Sequence, residues 1–184
     1  VRHGIVEGEP GIFPGPFGLV FGRLSRWLRH RGDGRRQEVF ASMAAMSESE
    51  IRAFLLEGTR TAKLATIRKD GRPHVAPVWF LVDDDGAVVF TTGAESVKGR
   101  SLRRDARVAL TVDDEHPPYS FVMIEGTASI SEDLNALKQW ATRIGGRYMG
   151  ADRADEYGAR NGVAGELLVR VRPDRVVAQR NIAA

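Results

Sequence analysis

From Arg60 onward, apolar and polar residues alternate in short runs punctuated by Asp-Gly, Gly and Pro. This rhythm constrains the fold most, because a period of two sends successive side chains to opposite faces of a strand. Arg60–Ile67 and Pro73–Val82 read as the first two strands, joined through Asp70-Gly71, a type I′ hairpin signal. Asp83-Asp84-Asp85-Gly86 makes the next turn and Ala87–Thr92 the third strand. Arg107–Asp113, Tyr119–Ile130, Glu166–Arg172 and Arg175–Gln179 complete the set, with Pro173-Asp174 separating the last two. Gly126 marks a bulge or bend, and Pro77 requires an edge, a bulge or a split in the barrel.

Helical spacing interrupts this series without alternating with it. Ser47-x-x-Glu50 is a capping box that opens a helix carrying Ile51, Phe54 and Leu55, with Gly58 as its stop. Glu95–Arg104 reads as a short helix with Val97 and Leu102 inward. Ser131-Glu132-Asp133 caps a third, carrying Leu134, Leu137, Trp140 and Ile144 and ended by Gly145-Gly146. The polar segment Tyr148–Gly162 has room for one more. Inserted helices predict a mainly β, antiparallel barrel and argue against a doubly wound sheet.

At 184 residues the chain suits one domain with a substantial core. It has no cysteine, which excludes disulfides, thiolate nucleophiles and thiolate metal sites. Residues 1–46 hold seven of the 27 basic and four of the 24 acidic residues, leaving twenty of each in 47–184. The net charge of +3 therefore belongs to the N-terminal stretch, and the balanced remainder argues against a nucleic-acid partner. That stretch also carries eight of the 20 glycines and three of the eight prolines. It reads as a disordered extension preceding a domain that starts near Met43 or Met46. Only Leu19–Trp27 suggests a short basic amphipathic helix. The longest uncharged run, Pro10 to Gly22, is too short for a membrane span, and a cytoplasmic protein is the simplest reading.

Five segments recur in a recognisable order: Leu64-Ala65-Thr66-Ile67; Asp70-Gly71-Arg72-Pro73-His74-Val75-Ala76-Pro77-Val78-Trp79-Phe80; Val89-Phe90-Thr91-Thr92-Gly93; Lys98-Gly99-Arg100-Ser101-Leu102; and Glu125-Gly126-Thr127-Ala128. In them the sequence resembles the pyridoxamine-phosphate-oxidase-like superfamily of split-barrel flavin and deazaflavin oxidoreductases, over roughly residues 48–180. The branch that uses coenzyme F420 is the most similar. The resemblance implies a split β-barrel that dimerises, with cofactor sites at the subunit interface. It implies coenzyme F420 as cofactor, with FMN as the alternative, and hydride transfer from the reduced coenzyme to an unsaturated or conjugated small molecule. A non-catalytic barrel holding a cofactor, haem or tetrapyrrole is the alternative from another class.

A cofactor with a phosphate and a polyglutamate tail needs basic side chains and free backbone N–H groups at one mouth. Thr91, Thr92 and Gly93 at a strand end, followed by Lys98, Gly99 and Arg100, supply both, and the family places its phosphate on the Lys-Gly-Arg segment. The strand His74, Val75, Ala76, Pro77, Val78 and Trp79 would line the ring system. No catalytic acid is identifiable. His3, His30, His74 and His116 lack metal-ligand spacing, so no metal is expected. Tyr119 and Tyr148 read as core or rim residues, and Asp83-Asp84-Asp85 and Asp113-Asp114-Glu115 as solvated turns. The segments 114–120 and 145–162 are expected to be loops that shape acceptor specificity. The Pro173-Asp174-Arg175 stretch lacks the aromatic pair that completes the vitamin B6 pocket in the family, so oxidation of that vitamin is disfavoured.

Overall fold

The computed structural model describes residues 46–183, so the expected N-terminal extension apart from Met46, with its helix Leu19–Trp27, lies outside the described residues. Seven strands form one antiparallel sheet: β1 Ala62–Ile67, β2 Pro73–Val78, β3 Leu81–Val82, β4 Val88–Gly93, β5 Arg107–Asp114, β6 Ser120–Ser131 and β7 Glu166–Gln179. Four α-helices are inserted: α1 Glu48–Leu56, α2 Val97–Arg104, α3 Leu134–Met149 and α4 Ala154–Asn161. The capping box at Ser47 and Glu50 is present on α1.

The sheet order is β2-β1-β5-β6-β7-β4-β3, so β2 and β3 are its two edges. Only Trp79 and Phe80 join them, and three Cα steps span about 11 Å at most. The edges must therefore approach each other, and the sheet curls into a barrel split between β2 and β3. The single strand expected over Pro73–Val82 is thus two, because the chain leaves one edge just after Pro77 to start the other. A proline fits there, since an edge strand does not need every N–H. Phe80, buried in the link, packs inside with Leu64, Phe90, Leu110 and Leu167.

Leu55 of α1 and Leu102 of α2 also join this core. The two helices close opposite ends of β1. Arg60, just before β1, lies over the Phe54 ring of α1, and Ile67 at the far end accepts a hydrogen bond from Arg104 of α2. Helix α3 covers the outer face of β4 and β7, where Leu137 packs with Val89 and Leu168.

Several local expectations are corrected. The two final strands are one: β7 continues through Pro173-Asp174, where Asp174 is an extra residue opposite the Glu125/Gly126 step. Gly126 is required there because a Cβ would collide with the Arg172 carbonyl. The β1–β2 connection is not type I′. Gly71 N–H bonds to Arg68 O at 3.0 Å, and only Gly71 has positive φ (81°), which defines a three-residue loop ending in a left-handed glycine. Gly145-Gly146 does not end α3, which runs on to Met149. Gly145 is instead where α4 approaches, since a Cβ would strike that of Tyr157. Consequently 145–162 is helical rather than a loop. Asp83 is not solvated either: it is 6% exposed, accepts N–H bonds from Asp85 and Ala87 at 2.9 Å each, and pairs with Arg170.

Candidate cofactor site

The end of β4 and the start of α2 form one corner. Ser96 caps α2, accepting the Gly99 N–H at 3.0 Å, and its hydroxyl lies 3.2 Å from Thr92 Oγ1. The N–H groups of Val97 and Lys98, the first two helical residues, have no acceptor among the described residues. Free N–H groups at a helix start, on the positive end of its dipole, favour an anion. Lys98 is half-buried beside the Glu166 carboxyl, which starts β7 opposite Gly93. Burial raises the Glu166 carboxyl above its ordinary range, and the Lys98 charge opposes that rise.

Gly99 serves packing. A Cβ there would collide with the Gly93 carbonyl and lie 2.7 Å from the Ala94 carbonyl, so only glycine lets α2 sit this close to β4. Arg100, expected beside Lys98, lies two residues on, about 200° around the helix. Its side chain lines a different space with Arg68, Lys69 and Arg104.

Strand β2 presents His74, Ala76 and Val78 inward and Pro73, Val75 and Pro77 outward, with Val75 62% exposed. It pairs only with β1, which leaves the other side of its backbone open. Thr66 and His74 are cross-strand partners under the end that α2 covers. Thr66 Oγ1 and His74 Nδ1 are both buried with no protein partner. Buried polar atoms are nearly always satisfied, so two neighbouring orphans indicate a place for a water or a ligand's polar group.

Trp79 is half-buried and stacks on Tyr148 with centroids 4.9 Å apart and planes 3° from parallel. One of its faces is therefore already covered. Tyr148 accepts the Phe80 N–H at 3.2 Å and donates to the Arg60 carbonyl at 2.7 Å, and burial pushes its phenol up. It belongs to the scaffold, as the sequence suggested. Beside it Arg147 donates to the carbonyls of Leu55 and Phe80 at 2.8 Å and of Gly58 at 3.1 Å. Burial without a carboxylate partner depresses its guanidinium.

The structure therefore brings Thr91, Thr92, Gly93 and Lys98 to one corner and sets His74 under the same helix. It turns Arg100 away and uses Gly99 and Trp79 in packing. Sequence reasoning missed Glu166, Thr66 and Arg147. Of these Thr66 left a signal: a hydroxyl in register with the inward Ala62 and Leu64. Asp113 and Asp114 are occupied by Lys63 and Arg60 at 2.6 and 2.9 Å, and no cluster suited to a metal exists among the described residues.

A split antiparallel barrel with inserted helices, one of whose starts carries free N–H groups, defines a protein of the split-barrel class. Residues 47–180 match the pyridoxamine 5'-phosphate oxidase family, and the chain belongs to it. It is 30% identical over 122 residues to a 5a,11a-dehydrotetracycline/5a,11a-dehydrooxytetracycline reductase of Streptomyces rimosus, covering 62% of this chain and 70% of that one. It is 32% identical over 98 residues to a biliverdin reductase of Mycobacterium tuberculosis that depends on reduced F420, covering 52% and 68%. The crystal structure of a conserved hypothetical protein of M. tuberculosis superposes with a TM-score of 0.67 at 32% identity, over 77% of this chain and 88% of that one.

Proposed function

We propose that the chain is an F420-dependent reductase that passes a hydride to an unsaturated or conjugated small molecule. Both named relatives are reductases, and one is named for its dependence on reduced F420. The observation that carries the reading to this chain is the donor set: free Val97 and Lys98 N–H groups, the Lys98 ammonium, and the orphaned Thr66 and His74 atoms. This set suits an anionic, polar-edged cofactor. When bound, the reduced deazaflavin supplies the hydride. The residues' part is to bind and orient: Lys98 and the helix start hold a phosphate, and Thr66 and His74 satisfy polar edges. The β2 backbone flanks the ring.

The outer face of β2, β1, β5 and β6 carries Val75, Ala65, Ala109 and Met123, and no described helix covers it. A second copy laid on it would bury Val75 and cover the open edge, which supports a homodimer. FMN is the second reading, because the Lys98 corner would accept any single phosphate.

Fluorescence titration with coenzyme F420 and with FMN separates the two. Preference for F420, with at least about tenfold loss in Lys98→Ala, supports the proposal. Preference for FMN moves the protein to the flavin reading, and binding of neither refutes both.

A further inference from the structure

The Lys98 corner holds an acid as well as a base. Gly93, the last residue of β4, is the strand partner of Glu166. With no side chain on Gly93, the Glu166 carboxyl lies over it, Oε1 being 3.4 Å from where a Cβ would stand. The Gly93 carbonyl accepts the Ser96 N–H at 3.1 Å, so one residue links this carboxyl to the start of α2. Glu166 is half-buried and its carboxyl accepts no hydrogen bond; Lys98 is the only charged group that acts on it among the described residues. Glu95, the other acid of the β4–α2 connection, is exposed and pairs with Arg100 at 3.8 Å.

Packing does not ask for a carboxylate here. Glu166 opens β7 opposite a glycine, where a neutral side chain would fill the same space without half-burying a charge. An acid also works against the anion that Lys98 and the free N–H groups of Val97 and Lys98 draw in. The result is a corner of small net charge: one ammonium and about half a positive charge from the helix start, set against one carboxylate. Such a corner holds a singly charged group. It resists the second charge of a doubly charged one, because every ligand charge meets the same carboxylate.

We propose that Glu166 is a specificity-determining residue, which makes the Lys98 corner select a singly charged phosphodiester over a terminal phosphate. A terminal phosphate carries about two charges at neutral pH, a diester one. The proposal rests on this corner being the anion site of the cofactor reading, and adds which kind of phosphate it takes.

The test is fluorescence titration of the full chain at pH 7 with three ligands. They are FMN, whose phosphate is terminal; riboflavin cyclic phosphate, which carries the same ring on a diester; and coenzyme F420, whose phosphate is also a diester. Glu166→Gln removes the charge at nearly constant shape, and Glu166→Asp keeps it. We expect Glu166→Gln to bind the two diesters about threefold more tightly and FMN about tenfold more tightly, the gain for two charges being the square of the gain for one. Glu166→Asp should stay within about twofold of wild type for all three. If Glu166 only fills space, both variants change the three affinities alike, without regard to ligand charge, and the proposal is overturned. It is equally overturned if FMN gains no more than the diesters in Glu166→Gln, or still fails to bind. Loss of all three ligands in Lys98→Ala together with an unchanged FMN-to-diester ratio in Glu166→Gln would refute the selectivity and leave the cofactor reading standing. Binding of none of the three by wild type or Glu166→Gln would refute both.

Discussion

Replacing Arg147 by Met removes a single fork that ties together three segments distant in sequence. Its guanidinium reaches the end of α1 through Leu55 and Gly58 and the β2–β3 link through Phe80. Methionine keeps much of the aliphatic stem, so packing is largely retained and the loss falls on the carbonyls. A hydrogen bond to a charged donor contributes about 1.5–3 kcal/mol. Desolvation of the guanidinium offsets part of the sum, and it is also what depresses its pKa. Bonds sharing one side chain are not additive. The net expectation is a destabilisation of about 3 kcal/mol. With unfolding entropy near 2.1 cal/mol/K per residue, the domain loses about 0.3 kcal/mol per degree, so Tm falls by about 10 °C.

Thermal and urea unfolding followed by tryptophan fluorescence and circular dichroism read this directly. Arg147→Lys is the informative control. It keeps the charge but not the planar fork, and should lose about half as much. If Met costs less than about 1 kcal/mol, the three bonds are not a fastening of the split, and the reasoning fails. If Lys matches wild type, a point charge suffices and the fork geometry is irrelevant.

Three further outcomes follow from the same geometry. Gly99→Ala should destabilise by about 1–3 kcal/mol, measured by urea unfolding, because the new Cβ meets backbone that cannot rotate away. Glu166 has a raised carboxyl, so its folded state favours the proton; that contribution is present below its unfolded value and is lost as pH rises through the folded one. Glu166→Gln should therefore be more stable than wild type at pH 7 and equal to it near pH 4. Asp105, held at about 2 chiefly by the Arg107 side chain, stabilises above its unfolded value of 3.8 and loses that effect as pH falls towards 2. NMR titration of Arg107→Gln should return Asp105 towards 3.8.

The fold was legible because its determinants are local. Ala62, Leu64 and Thr66 alternate with Lys63, Ala65 and Ile67 strictly enough to fix the inward face of β1, and the Ser47 and Glu50 capping box lies within four residues. What escaped was set by partners far along the chain. Gly145-Gly146 looks like a stop signal, and only Tyr157 makes it a crossing point. Pro173-Asp174 looks like a turn, and only the pairing with β6 turns it into a bulge. The candidate site divides the same way. Thr91 to Lys98 form one contiguous strand-to-helix exit and could be read from order. The opposed directions of Lys98 and Arg100 depend on helical phase, which a list of basic residues hides. Arg68 and Lys69 were passed over because a hairpin turn is ordinarily solvated, and nothing in the sequence says that α2 faces it.

Helix α2 explains why fold and site coincide. An open sheet whose edges are joined by two residues has a mouth at each end of the barrel, and something must cover the backbone there. At one end α1 does so, with Arg147 and Tyr148 fastening the link. At the other α2 touches β1 and β2 near one edge and β4 near the other. Its start thus sits at the exit of β4, capped by Ser96 beside Thr92, while its basic side faces the β1–β2 turn. A ligand held between the α2 start and the β2 edge would span the split and be sensitive to its width. Loosening the Arg147 fastening at the opposite end should therefore weaken cofactor binding in Arg147→Lys even at temperatures where that variant is fully folded. Affinity measured well below Tm decides the point: unchanged binding would mean that the two ends of the barrel are mechanically independent.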